Sequence, residues 1–267
     1  MDLTFLQYSF IQKAFLAGAF ISITCAALGM FLVLRKMSLI SDGLSHVSFG
    51  AIAIGLFFGA YPYYVAVPIV IAASFLILKI TEKAKVYGDA AIGIVSAVGI
   101  SSGVIIAGLS KGFNVDLFSY LFGNILSIRT SEVILSITLS LIVLAILHFY
   151  YWDLFSATFD SEYARTTGIK INKINIVLTL LTSLVVVLSV KVVGILLVSA
   201  LMILPAAAAL QIAKGFRSAI FIGCCFSLIS VLTGITFSFF LDLSAGATIV
   251  MINAIIFALS LLYKKIA

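Results

Sequence analysis

The sequence predicts an all-α, polytopic integral membrane protein with about nine (eight to nine) transmembrane helices, in a single domain spanning 1–267. Three observations carry that prediction. Of 267 residues, 63% are hydrophobic and only 10% charged, and mean hydropathy is +1.30, far from an ordinary soluble domain. Uncharged runs recur along almost the whole chain, each close to the ~20 residues that cross a ~30 Å hydrocarbon core. The runs are continuous rather than alternating, so they read as helices, because backbone polar groups in lipid must be satisfied within the segment.

The runs follow in order. The first, 14–34, lacks a preceding basic n-region and a small-residue cleavage site, so it is expected to be a retained span. The second, roughly 40–60, carries Asp42 and His46 in "SDGLSH". The third, 61–78, is short and holds Pro62 and Pro68; the fourth, 90–110, contains "GISSG". The segment "DLFSYLFGNILSI" (116–128) reads as an external re-entrant helix or as part of a span. After the run at 133–152 comes the longest polar segment, "DLFSATFDSEYARTTGIKINK" (153–173). Phe155, Phe159 and Tyr163 recur there every fourth residue, with Asp160, Glu162 and Arg165 off that stripe, which predicts a short amphipathic helix across one face of the protein. Such a helix could rest on lipid headgroups, but its mixed charges suit a protein partner at least as well. Runs at 174–190, 192–213, 218–241 and 243–263 complete the chain. Cys25, Cys224 and Cys225 all fall inside apolar runs, where cysteine behaves as a small hydrophobe.

The net charge of +6 could suggest a nucleic-acid partner, but its distribution is that of a topology signal. Twelve of the sixteen basic residues fall at every second boundary, from Arg35 and Lys36 to Lys264 and Lys265; only Lys13, Lys111, Arg129 and Lys191 fall on the other side. The positive-inside rule then puts the N-terminus outside and the C-terminus in the cytoplasm.

Asp42 and His46 are i and i+4, hence on one helix face. Two readings stay open from the residues alone. Ser41 or Asp42 caps the helix that follows, with His46 a buried histidine. Alternatively, an ionisable pair inside a span marks a functional path, and carboxylate plus imidazole suits a borderline divalent cation such as Zn²⁺ or Mn²⁺. Two ligands are fewer than a closed site requires, so two chains would have to face each other across a twofold axis. Only neutral imidazole ligates, so binding should weaken in acid.

The "GISSG" stretch matches G-x-S-x-G, but a nucleophile elbow needs a strand-to-helix turn; helix packing through Gly99 and Gly103 is the simpler reading. Neither His-Glu-x-x-His nor a phosphate-binding G-x-x-x-x-G-K-[ST] occurs, so no catalytic residues are assigned and any ATP would be hydrolysed on another chain. Pro205, followed by four alanines, predicts a kink that could serve as a hinge or gate. Gly50, Gly55 and Gly59 are expected to leave room for a neighbouring helix beside Asp42 and His46. His148 could contact an exiting ion or anchor at the interface beside Tyr150, Tyr151 and Trp152, and the aromatic neighbours favour the anchor.

Four blocks in order, "RKMSLISDGLSHVSFGAIAIG", "DLFSYLFGNILSI", "TFDSEYARTTGI" and "VGILLVSALMILPAAAA", resemble the permease (transmembrane) subunit of the zinc and manganese metal-type ABC importers over nearly the whole chain. The resemblance implies the fold of a type II ABC importer permease in the bacterial cytoplasmic membrane. It also implies a homodimer, a cytoplasmic ABC ATPase dimer, and a solute-binding protein that delivers metal outside. On this basis Asp42 and His46 would be the transient metal ligands. The segment around 158–168 resembles the helices that insert into the ATPase, with Phe159, Asp160, Glu162, Arg165 and Gly168 as expected contacts. Lys111, Arg129 and Lys191 would help dock the binding protein. The wording "SLISDGLSHVS" is closer to the zinc branch, so zinc is the expected cargo; manganese or iron is the alternative within the family, and an ATP-independent secondary transporter the alternative outside it. No permanently bound cofactor is expected.

Overall fold

The structure is a computed structural model that describes residues 7–83, 87–110, 120–123 and 128–266. In chain order its helices are α1 (Ser9–Leu34), α2 (Leu39–Phe57), α3 (Pro62–Lys83), α4 (Gly88–Leu109), α5 (Thr130–Phe149), α6 (Tyr151–Phe159), α7 (Ser161–Thr166), α8 (Ile171–Val193), α9 (Val198–Ile212), α10 (Phe216–Leu241) and α11 (Ala245–Ile266). Among the described residues, eight of these are long and apolar enough to cross a membrane, and α9 is a shorter apolar helix. Of the segment 116–128, only 120–123 and 128 are described, and 120–122 are helical.

The span expected at 192–213 is broken. Helix α8 runs on to Val193, and the chain then turns at Gly194, whose φ of +92° is a conformation that favours glycine. The freed backbone N–H groups of Ile195 and Leu196 donate to the carbonyls of Tyr120 and Leu121 at 3.0 and 3.3 Å. Non-helical backbone within a membrane protein survives where other protein segments satisfy it. The break is invisible to hydropathy because Gly194 to Leu197 are themselves apolar. Helix α9 that follows has 15 residues, about 22 Å of rise, less than a ~30 Å core.

Three helices form the interior. Between 67% and 72% of the most apolar stretch of α1, α2 and α8 is buried, against 22–33% for the other five long helices. Helix α1 packs on α5, α8, α9 and α10, and α2 on α3, α4, α8 and α9. Although consecutive in the chain, α1 and α2 therefore share α8 and α9 as neighbours and pack little on each other. Helix α11 closes the bundle against α9 and α10.

Membrane helices lack a hydrophobic drive toward one another, so they gain from close van der Waals approach through small residues. Helices α2 and α4 meet in this way: a Cβ at Gly99 would lie 2.7 Å from the Val47 Cα, and one at Gly50 2.5 Å from the Gly99 carbonyl oxygen. The α1 backbone at Gly29 lies directly against the Met202 carbonyl of α9. Replacing Gly29 by valine should lower stability by about 1–3 kcal/mol or more through overpacking. Thermal unfolding of the detergent-solubilised protein should show this loss. Gly108→Ala, where an added Cβ meets nothing within 4 Å, should leave the unfolding temperature nearly unchanged.

Candidate metal site and coupling segment

Helix α2 begins at Leu39, with Ser38 as N-cap and no side-chain cap bond. Neither Ser41 nor Asp42 therefore caps it. Ser41 Oγ donates to the Ser38 carbonyl at 2.8 Å, and Ser45 Oγ donates to the carbonyls of Ser41 and Asp42 at 2.8 and 2.9 Å. The serines are thus satisfied within their own helix. Asp42 sits in the first turn, where the helix macrodipole favours negative charge.

The Asp42 carboxylate looks outward from α2. Its Oδ1 accepts a hydrogen bond from Ser199 Oγ of α9 at 3.2 Å, and its Oδ2 lies 3.7 Å from His46 Nε2. That separation is too long for a hydrogen bond. It is shorter than about 4.2 Å, twice a zinc–ligand distance, so both atoms can reach one ion without moving α2. His46 Nδ1 is buried without a hydrogen-bond partner, which leaves Nε2 as the accessible nitrogen. Asp42 is 47% and His46 22% exposed, and with Leu39 they form the one open face on the first half of a helix otherwise buried nearly all round. Among the described residues no group of three or more His, Cys, Asp or Glu side chains could hold a metal ion. One chain therefore offers the carboxylate, the imidazole and an orienting hydroxyl, and among the described residues no third ionisable ligand joins them.

Ser199 is the residue that sequence reasoning missed. Its only signal is a lone hydroxyl within "VGILLVSALM", and what brings it to Asp42 is the break at 194–197. Pro205 is buried midway along α9, and the helix continues through it. Gly50 meets α4 and Gly55 meets Pro62 and Val65 of α3, whereas Gly59, with φ +63°, lies beyond the end of α2. The "GISSG" stretch lies in the continuous helix α4, where Ser102 Oγ bonds the Gly99 carbonyl at 2.8 Å. It is a packing face, as expected.

The polar segment differs from its expected form. Helix α5 stops at Phe149, short of 152, and the segment folds as two helices, α6 and α7, rather than one. Asp160 divides them: its carboxylate caps α7, accepting from the N–H groups of Glu162 and Tyr163 at 3.1 and 2.8 Å. Gly168, with φ +88°, ends the pair. The buried side is Leu154, Ala157 and Ala164 rather than the aromatic stripe. Phe155 packs against Phe159 and Phe216 at 4.7 and 5.3 Å between ring centroids, while Phe159 and Tyr163 remain 58% and 63% exposed. Exposed Glu162 and Arg165 flank these rings.

This segment lies at the basic end of the bundle. Arg35, at the end of α1, hydrogen-bonds Asn175 near the start of α8, and burial lowers its pKa from the ordinary value. Lys173 lies over the Tyr150 ring, Arg217 over Tyr151 and Trp152, and Lys264 donates to Gln211 at 3.1 Å. At the opposite end Arg129 opens α5, its N–H donating to Glu132 at 2.9 Å. The Tyr61 hydroxyl donates to the same carboxylate at 2.8 Å; burial, and then Glu132, raise the Tyr61 pKa well above its usual range. Lys111 and the Lys191 side chain lie outside the described residues.

Comparison with known proteins accords with this arrangement. The pattern of the ABC 3 transport family matches residues 7–264. The chain is 33% identical over 258 residues to the manganese transport system membrane protein MntC of Listeria monocytogenes, covering 97% of this chain and 92% of that protein. It is also 33% identical, over 259 residues, to the high-affinity zinc uptake system membrane protein ZnuB of Haemophilus influenzae, covering 97% of this chain and 99% of that one. The structure of PsaBC from Streptococcus pneumoniae in complex with Fab superposes with a TM-score of 0.87 at 29% identity, over 96% of this chain and 92% of the other. With its pattern matched almost end to end, the chain belongs to the ABC 3 transport family and is a permease of the metal-type ABC importers.

Proposed function

We propose that the chain moves a divalent transition metal, zinc in preference to manganese, across the bacterial cytoplasmic membrane, with Asp42 and His46 as the transient ligands. The observation that carries this reading is the placement of the two side chains 3.7 Å apart on the open face of an otherwise enclosed helix, with Ser199 orienting the carboxylate. Two copies facing each other would supply two carboxylates and two imidazoles, a donor set that suits zinc's four-coordinate preference. Carboxylate and imidazole also serve manganese, and the relatives named for the two metals are equally similar at 33%, so the preference for zinc rests on the zinc-branch wording of "SLISDGLSHVS". Such a station is complete only in the dimer and can be emptied as the halves move. Pro205, in the helix that carries Ser199, is the point where α9 bends between states.

The basic end faces the cytoplasm in this reading, with the N-terminus outside. There a separate ATPase dimer would seat on Phe159, Tyr163, Glu162 and Arg165, with Asp160 and Gly168 holding the shape of α7. A solute-binding protein would release the ion at the other end, where Arg129, Lys111 and Lys191 meet its acidic rim. A secondary transporter would instead show uptake without an ATPase and indifference to α6 and α7.

Asp42→Asn and His46→Ala should each reduce Zn²⁺ uptake in metal-limited cells by more than about tenfold, and Ser199→Ala should weaken metal binding about tenfold as the loss of an orienting partner. Normal transport by both ligand variants would exclude the pair, and preferential uptake of Mn²⁺ would reverse the choice of metal. Phe159→Ala combined with Arg165→Glu should abolish co-purification of the ATPase while leaving metal binding intact; unchanged co-purification would remove the segment's coupling role. Arg129→Glu should weaken docking of the metal-loaded binding protein, and an unaltered affinity would take Arg129 out of that surface.

A further inference from the structure

A groove of about 500 Å³ runs between α1, α5, α6 and α10 at the basic end of the bundle. Its floor is apolar, formed by Ala27, Phe31, Leu144 and Leu147 from two spans, and its mouth carries His148, Trp152 and Arg217. The volume is that of a small-molecule site, yet the transport reading uses none of it. The groove is lined by α1, α5, α6 and α10, none of which carries Asp42, His46 or Ser199.

The mouth is built rather than incidental. The Arg217 guanidinium carbon lies 5.3 Å from the Trp152 ring centroid and 5.8 Å from that of Tyr151. Tyr151 is itself held by Phe155 and Phe216, and Phe216 by Phe31 at 5.3 Å. Among the described residues Arg217 has no carboxylate oxygen within 4 Å. A guanidinium stacked on rings keeps its edge N–H groups free for bidentate contact with an oxyanion. Interfacial Trp and Tyr mark the headgroup level, and a basic pocket above an apolar cleft between spans is the arrangement that holds an anionic headgroup with its chain alongside.

We propose that this groove binds one anionic glycerophospholipid from the leaflet on the side of α6 and α7, with its phosphate on Arg217 and an acyl chain along Phe31, Leu144 and Leu147. Charge complementarity selects the occupant: a guanidinium stacked on Tyr151 and Trp152 sits where an apolar cleft meets the headgroup level. The lipid would brace α6, which carries Tyr151 and Trp152, against α1 and α10.

The test uses the full-length permease in neutral detergent, with retained lipid measured by native mass spectrometry. Added phosphatidylglycerol should be retained at about one per chain and should raise the unfolding temperature. Phosphatidylcholine of the same chains and inorganic phosphate should do neither. Arg217→Gln should reduce retained phosphatidylglycerol about fivefold, Trp152→Ala should reduce it as well, and Lys265→Gln, at the same end but away from the groove, should not. Equal retention of the two lipids by the unaltered protein, a result independent of whether any variant folds, would overturn the proposal. So would equal loss in the Arg217 and Lys265 variants, stabilisation by phosphate alone, or an Arg217→Gln protein that keeps its lipid and loses only its ATPase.

Discussion

Close backbone approach between helices is the constraint on which the rest of this structure depends. In a bilayer the apolar side chains of a span have no reason to prefer one another over lipid, so tight packing must come from places where side chains are small. Gly50, Gly99 and Gly103 let α2 and α4 meet almost backbone to backbone, and Gly29 does the same for α1 and α9. With α4 locked on one side and α3, α8 and α9 on others, the first half of α2 keeps a single open face. Asp42 and His46 occupy that face, and ionisable groups within a span normally face protein or an aqueous path rather than lipid.

The break between α8 and α9 is the second condition. A continuous helix through 192–213 would carry its residues in one straight register. The turn at Gly194, with its N–H groups satisfied by Tyr120 and Leu121, starts α9 where Ser199 meets Asp42. The 120–123 segment and Asp42 are linked in this way: the backbone that fills the break also sets the hydroxyl that orients the carboxylate. Orientation of a ligating carboxylate by a second hydrogen bond is a common means of tuning a metal station.

At the basic end, α6 and α7 divide their residues between packing and an outward surface. Leu154, Ala157 and Ala164 bury the pair against the bundle, Asp160 and Gly168 set the corner and the stop, and Phe159, Tyr163, Glu162 and Arg165 are left outward. Exposed aromatic rings beside opposite charges favour a protein partner over a lipid surface. The aromatic cluster from Phe31 through Phe216 to Phe155 runs beneath them, so a ligand at Arg217 would act on the same helices.

What the sequence determined by itself follows from local or one-dimensional physics. Spans are legible because each must be apolar along its own length, the basic end because charge is counted per loop, and the Asp42–His46 face because i and i+4 coincide on any helix. The tertiary structure decided whatever depends on a neighbour. An uncharged run from 192 to 213 hid a break whose freed N–H groups Tyr120 and Leu121 accept, and with it the meeting of Ser199 and Asp42. The spacing of Phe155, Phe159 and Tyr163 named an apolar stripe, but the side that buries is set by Leu154, Ala157 and Ala164, because Asp160 breaks the helix and turns the second half. Hydropathy also treats a glycine facing a helix and a glycine facing lipid alike. The close approach of another backbone is what distinguishes Gly99 from Gly108.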